Sequence, residues 1–475
     1  MIRVATLQFA VGIDVEDNLK TCLRMIDQAA EQQPNLIVLP EFCNRLSWYE
    51  NQDEVWDSAV SADSLFLQAI ADKARKHSAY IVVNCTVRRD YPDVTVTSFL
   101  YDDEGNCVAV ADKQTLMGQE NKRFVCGTTI APVTETKIGR IGLYACRDGV
   151  TMETPRSLAI RGAQILCNSL NSFAFDEAEL HIPVRAPENK VFVVSANKVG
   201  PLIPEHLLDV VGDKLGVPGH FLYGAGESQI VAPDGTVLAF GSRSEEEVVV
   251  AEFDPAEADN KLRPDGTDIM AARRPELYRP IATQPTEPEA HDSADVVPVA
   301  VFHPSTDSID AVEEAISCIQ TIDADVGMVV LPELFCFPNA TITNPDAAAS
   351  ISRAVAERLT AACHGRDTFV CTSLVWRLPS GKPTHMGVLI NKTGVVMAQP
   401  QLHRCQRHAW ATLGDTFSTV DVPWGRIGMI VGDDSIYPET AKVLAIKDVD
   451  VIAIPLHVQE QWETGLGLIG RSAEN

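Results

Sequence analysis

The chain repeats itself. After the tetrapeptide Gly-Arg-Ile-Gly, LYACRDGVTMETPRSLAIRGAQIL runs from Leu143 to Leu166; after a second Gly-Arg-Ile-Gly, MIVGDDSIYPETAKVLAIKDVDVI runs from Met429 to Ile452. The two align without a gap, so whatever the first half folds into constrains the second. Further segments match in the same order: VVPVAVFHP answers MIRVATLQF, VGMVVLPELF answers PNLIVLPEF, FVCTSLVWR answers YIVVNCTVRR, and GVLINKTGVVMA answers SFLYDDEGNCVA. Repeats of this length are duplicated domains and not solenoid units. The 475 residues also exceed what one hydrophobic core usually spans. At one position the copies part in chemistry, since the first carries Cys146 where the second carries Gly432.

Short β-branched runs alternate with longer amphipathic segments. IRVATLQF reads as a strand, Asn18 to Gln33 has helical periodicity, and NLIVLPEF is the continuous apolar run of a strand buried on both faces. Helices are expected over 63–77, 153–162 and 179–190, and VTVTSFLYDDEGNCVAVADKQTL reads as a hairpin turning at DDEGN. The class is α/β with largely buried mixed sheets. Residues 1–280 form the first domain, the Pro-rich and acidic stretch 281–295 (IATQPTEPEAHDSAD) a solvated linker, and 296–475 the second domain. The closing GRSAEN corresponds to VRAPEN, Val184 to Asn189, after which the first copy still needs a strand and a hairpin. The second copy is therefore expected to be truncated at its C-terminal end, the given chain being a fragment whose last sheet keeps an unpaired edge.

Composition removes several partners. A net charge of −26 argues against nucleic acid and anionic membrane surfaces, both of which attract basic faces. No run approaches the roughly 18 apolar residues of a membrane helix. The twelve cysteines show no CxxC and no paired spacing, and MIRVATLQFAVGID lacks the features of a secretory leader. A cytoplasmic protein with reduced thiols is expected.

Four residues of the first copy can do chemistry together: Glu41 in VLPEF, Lys113 and Glu120 in ADKQTLMGQEN, and Cys146 in YACRDG. Three lie at or just past the ends of expected strands, where open α/β sheets place their sites. A cysteine at a strand-to-helix turn near a lysine favours thiolate, a glutamate can act as base and then acid, and an ammonium can hold an oxyanion. Thiol acyl transfer of this kind needs no metal and no cofactor. Taken singly, each residue also has an ordinary structural explanation.

The set VLPEF, DKQTL followed by Glu120, GRIGLYACRDG, VRAPENKVFVVSANKVG and GESQIVAPDG resembles the nitrilase, or carbon-nitrogen hydrolase, superfamily over Met1 to about Asp254. The resemblance implies a four-layer α-β-β-α sandwich, present twice here. It further implies Glu41 as general base, Lys113 as oxyanion stabiliser, Cys146 as nucleophile, and Glu120 as the residue that positions the leaving amine and orients Lys113. Departures from the family pattern include Arg147 directly after the cysteine, Met152 before Glu153, and Thr115 two residues after the lysine. Arg147 is either a substrate contact or a helix-capping surface residue. CRDG looks more like the amidase and carbamoylase branches than the nitrilase branch, so a small-molecule amide or ureido substrate leads, with nitrile hydrolysis and acyl transfer as runners-up. A non-catalytic scaffold on a hydrolase fold is the reading from another class. Substrate walls are expected from Trp48, Tyr49, the stretch 168–173 with Asn171 and Ser172, and the loop 200–226.

Of the four residues the second copy keeps Glu333 alone in VVLPELF, with His403 near the lysine position. It is expected to be a pseudoenzyme that pairs with the first domain within the chain, with further homo-oligomerisation open.

Overall fold

The computed structural model describes residues 1–283 and 290–475, so the expected linker lies partly outside the described residues. Apart from the final two residues the chain divides into two compact units, Met1–Asn260 and Lys261–Ala473.

The first unit is built on two six-stranded mixed sheets. One contains β1 (Ile2–Gln8), β2 (Leu36–Val38), β3 (Tyr80–Arg88), β4 (Val94–Tyr101), β5 (Cys107–Asp112) and β12 (Glu247–Phe253), in the order β12-β1-β2-β3-β4-β5. The other contains β6 (Val133–Thr136), β7 (Gly139–Ala145), β8 (Ile165–Ser169), β9 (Phe192–Ala196), β10 (Gln229–Val231) and β11 (Val237–Phe240), in the order β11-β10-β9-β8-β7-β6. The central strands β1, β2 and β3 are parallel, as are β7, β8 and β9. Strands buried on both faces have no room for polar alternation, which is why they read as apolar runs.

Each face of these strands has a distinct partner. Ala5, Leu7, Ile37, Ile81 and Val83 pack outward against Met25, Ile26 and Ile70 of the helices Val15–Ala30 and Leu65–His77. The first of these helices starts where Asp14 caps the Asp17 N–H at 2.9 Å. The opposite face meets the second sheet: Thr6 Oγ1 donates to the Ser195 carbonyl at 2.9 Å, and the Phe192 and Phe253 rings stack 3.9 Å apart. Helix Glu153–Ile160 covers the outside of that sheet, with Leu158 over Gly142. The layers run helix, sheet, sheet, helix. The expected hairpin turns at 102–106, where the Asp102 side chain accepts from the Glu104 and Asn106 N–H groups.

The second unit has a five-stranded sheet in chain order, β13 (Val299–Val301), β14 (Met328–Glu333), β15 (Phe369–Arg377), β16 (Pro383–Asn391) and β17 (Gly394–Pro400). A three-stranded sheet follows, β18 (Thr419–Val422), β19 (Gly425–Met429) and β20 (Val451–Ala453). Helices Ala311–Thr321 and Pro345–Ala362 cover one face of the larger sheet, whose other face packs Met328, Cys371 and Leu389 against Ile427 and Met429. Residues ahead of the composition change at Ile281 already belong here: Ile269 packs with Tyr437 and Trp462, and Leu277 with Leu402 and Leu444.

One expected helix is interrupted. In place of a single helix over 179–190 there is a wide turn, Glu177–His181, followed by a short helix, Ile182–Arg185. Pro183 has no N–H to continue the regular ladder backwards, so the widened turn takes up the mismatch. Among the described residues no helix is long and apolar enough to cross a membrane.

Candidate active site

Strand ends of the first unit converge on one buried ion cluster. Glu41 follows β2 and is held by its N–H to the Leu170 carbonyl at 3.0 Å. Lys113 follows β5, its own N–H bonded to Val96 of β4 at 2.8 Å. Its ammonium donates to Glu41 Oε1 at 2.8 Å and to Glu120 Oε1 and Oε2 at 3.1 and 2.8 Å. The side chains of Lys113 and Glu41 are both 0% exposed. Glu120 is fixed in turn by the Met117 N–H at 2.9 Å.

Cys146 sits in the bend between β7 and the short helix Arg147–Val150, at φ +47. That left-handed region is costly for a residue with a Cβ, by about 1–3 kcal/mol, and persists only where surroundings enforce it. Here the enforcement is visible: the Cys146 N–H is claimed by both Asn168 Oδ1 and the Ser169 carbonyl, each at 3.0 Å. Gly149 is required three residues on, because a Cβ there would lie 2.5 Å from the Tyr144 ring.

The electrostatics tie the thiol to the ion cluster. Burial first, then the Glu41 carboxylate, push the Cys146 thiol up, and Lys113 opposes them. Burial pushes Glu41 up to about 7 against the pull of Lys113. Burial works against the Lys113 ammonium, yet Glu41, Cys146 and Glu120 together hold its pKa above the ordinary lysine value. Lys113 therefore stays charged, while Glu41 can take or give a proton near neutrality. Among the described residues Glu41 Oε2 has no hydrogen-bond partner.

A cleft of about 800 Å³ opens onto Cys146 and Glu120. Of the expected substrate walls, Trp48, Tyr49 and Asn171 line it, as do Leu202 and Leu222 of the 200–226 loop. Asn171 Oδ1 has no hydrogen-bond partner among the described residues. Ser172 and Arg147 are not part of the cleft lining: Ser172 Oγ donates to Glu177 Oε2 at 3.0 Å, and the half-buried Arg147 opens the short helix after Cys146.

Three supporting residues escaped the sequence reading. Asp148 accepts from the Gln114 and Thr115 N–H groups at 3.1 and 2.7 Å, pinning the loop behind Lys113 to the cysteine turn. Lys198, 0% exposed, lies over the Phe42 ring next to Glu41, and burial pushes it down to about 8. Burial likewise pushes Glu177 up to about 7. The first stands in CRDG and the second in SANKVG, but a charge destined for burial has no local signature.

The chain has relatives among known proteins. The model of the carbon-nitrogen hydrolase family matches residues 3–261 and again 306–474. The chain belongs to the carbon-nitrogen hydrolase family. A nitrilase of Pyrococcus abyssi is 30% identical over 280 residues, covering 58% of this chain and 99% of the relative. An N-carbamoylputrescine amidase of Solanum lycopersicum is 24% identical, covering 60% of this chain and 95% of the relative. Among solved structures, the amidase from Nesterenkonia sp. AN1 matches with a TM-score of 0.47 and 22% identity, over 59% of this chain and 99% of that one.

Proposed function

We propose that the first unit hydrolyses a non-peptide C–N bond of an amide or N-carbamoyl compound through a covalent Cys146 acyl-enzyme. The observation that carries this reading is the division of labour on Glu41: Oε1 is held by Lys113 while Oε2 is unpaired, and Glu41 is the strongest charge acting on the Cys146 thiol.

In this mechanism Glu41 takes the thiol proton as sulfur attacks the carbonyl carbon. The oxygen gains the negative charge and is held by the Lys113 ammonium and the Arg147 N–H, which lies in a helical first turn with no acceptor of its own in the helix. Glu41 returns the proton to the departing nitrogen, the C–N bond breaks, and ammonia or an amine leaves. Water, deprotonated by the same carboxylate, then cleaves the thioester and regenerates the thiol. Glu120 keeps Lys113 aimed and meets the leaving nitrogen at the cleft floor. The cleft is dominated by Trp48, Met117, Phe173, Leu202 and Leu207, which suits a substrate with an apolar arm, and Asn171 Oδ1 offers an acceptor for a substrate N–H. The relatives include an N-carbamoylputrescine amidase as well as a nitrilase, so amides, ureido compounds and nitriles all belong in the test.

The second unit is, in this reading, a duplicated and non-catalytic copy. Gln401 stands where Lys113 does, its N–H bonded to His385 of β16 at 2.8 Å. Asp434 accepts from Leu402 and His403 as Asp148 does from Gln114 and Thr115. Gly432 keeps the left-handed turn, at φ +52, but a Cβ built on it would collide with the Glu333 carboxylate. As Glu333 stands, its carboxylate takes the space a cysteine Cβ would need.

The test is ammonia release from panels of amides, N-carbamoyl compounds and nitriles by wild type and Cys146→Ala. Release abolished in the variant, with a mass adduct on Cys146 in wild type, is expected. No release and no adduct from any panel would remove the enzymatic reading, and preference for nitriles would move the substrate class.

A further inference from the structure

We propose that the second unit holds one divalent transition-metal ion of the zinc class between Glu333, His385 and His408. The inference is independent of the chemistry at Cys146.

Three buried side chains bring a ligand-type atom each to one point. Glu333 Oε1 lies 3.6 Å from His385 Nε2 and 3.5 Å from His408 Nδ1, and all three atoms fall within 4.8 Å of one another. Zinc with bonds of about 2.1 Å in tetrahedral geometry separates its ligand atoms by about 3.4 Å, close to both measured edges. Direct hydrogen bonds would be shorter. Indeed Glu333 Oε1, in a side chain 0% exposed, has no hydrogen-bond partner among the described residues. The carboxylate is not loosely placed, since Oε2 accepts from Arg407 Nη2 at 2.7 Å and from the His457 N–H at 2.8 Å.

The outer nitrogens of both imidazoles already have acceptors. Gln401 Nε2 donates to the His403 carbonyl at 2.6 Å, which leaves Gln401 Oε1 to accept from His385 Nδ1 at 2.8 Å. His385 Nε2 must then carry the lone pair. The Ser373 hydroxyl, 2.8 Å away, donates to it and would yield it to an ion. On the other ring His408 Nε2 faces the Ala340 carbonyl at 3.4 Å and Nδ1 lies 3.3 Å from Gln401 Oε1, so the tautomer with its proton on Nε2 is the one that offers Nδ1 to an ion. An outer N–H fixed on a carbonyl or amide oxygen, with the inner nitrogen directed at a carboxylate, is how proteins orient metal-bound histidine.

Two nitrogens and one oxygen suit zinc, iron(II) or cobalt(II) better than calcium or magnesium, which prefer oxygen alone.

The test uses the full chain, stripped with a chelator and titrated with cobalt(II), in wild type and in Cys146→Ala to remove binding at that thiol. The expected result is one equivalent bound in both, with the visible absorption of a tetrahedral nitrogen–oxygen site and no thiolate charge-transfer band. His385→Gln and His408→Gln should each abolish binding, and Gln401→Leu should weaken it by about 10-fold. Should the histidine variants fail to fold, the wild-type stoichiometry and X-ray absorption, with two imidazoles in the shell, decide the matter. Substoichiometric binding by folded wild type, a thiolate spectrum, or binding unchanged in folded histidine variants would overturn the proposal.

Discussion

Replacing Lys113 with Met removes the one cation that two carboxyls share. The ammonium contacts Glu41 Oε1 and both oxygens of Glu120, and its side chain is wholly buried. Stripping a buried carboxylate of its partner costs about 3–5 kcal/mol, and for a unit of this size each kcal/mol lowers Tm by about 2–4 °C. The expected loss at pH 8 is therefore about 6–20 °C. At pH 5.5 it should be smaller, because burial has already brought Glu41 up to about 7 and protonation removes its charge. The sign follows from linkage: a carboxyl with a raised folded pKa supports the fold below its unfolded value near 4.5 and loses that support as pH climbs through the folded value. Loss of the oxyanion cation should also cut kcat/KM by about 100-fold to 1,000-fold. Thermal unfolding by circular dichroism at both pH values, with steady-state ammonia release, provides the readout. Equal destabilisation at pH 5.5 and 8, or activity within about tenfold of wild type, would refute the reasoning.

The wild-type profile of kcat/KM should rise with an apparent pKa near 7, the value to which burial pushes Glu41, because the base must be ionised to accept the thiol proton; a profile flat from pH 5.5 to 8 would exclude Glu41 as that base. Gly149→Ala places a methyl 2.5 Å from the Tyr144 ring and should destabilise the first unit by about 1–3 kcal/mol, read as a lower Tm together with slower adduct formation on Cys146. Asp148→Asn keeps the volume but weakens the clamp on the Gln114 and Thr115 N–H groups, so kcat should fall with KM little changed. Gly432→Cys should yield no second nucleophile and a less stable second unit, since the new Cβ meets the Glu333 carboxylate; alkylation at that position with unchanged Tm would contradict this.

Some of this architecture is legible because local chemistry announces it. NLIVLPEF and YIVVNCTVRR read as central strands since strands covered on both faces must be apolar on both. Glu41, Lys113 and Glu120 draw notice because each stands in a short strand-end motif, and the fold brings them to one ammonium. What escapes the sequence depends on neighbours distant along the chain. Ser172 faces Glu177 because of the widened turn at Glu177–His181, and that turn depends on packing as much as on Pro183. Lys198 looks like a surface lysine until Phe42 and Glu41 are placed beside it. His385 and His408 are invisible as a pair with Glu333 because their spacing fits no metal motif, the three arriving from separate strands and a loop.

Charge coupling explains why, if the second unit is a decayed copy, its changes come as a set. In the first unit one lysine neutralises the buried Glu41 and the partly buried Glu120, so losing Lys113 alone would leave two neighbouring carboxylates repelling each other. A chain that exchanges the lysine for Gln401 must also discharge the second acid, and His408 stands seven residues after Gln401 as Glu120 does after Lys113. The surviving Glu333 then needs a new cation, and Arg407 supplies one, but only to Oε2. Oε1 is left facing the imidazoles of His385 and His408 at 3.6 and 3.5 Å. The same substitutions that remove a thiol hydrolase's machinery thus assemble a nitrogen–oxygen ligand set from its remains, which is why metal binding, and not restored catalysis, is the property to measure in this unit.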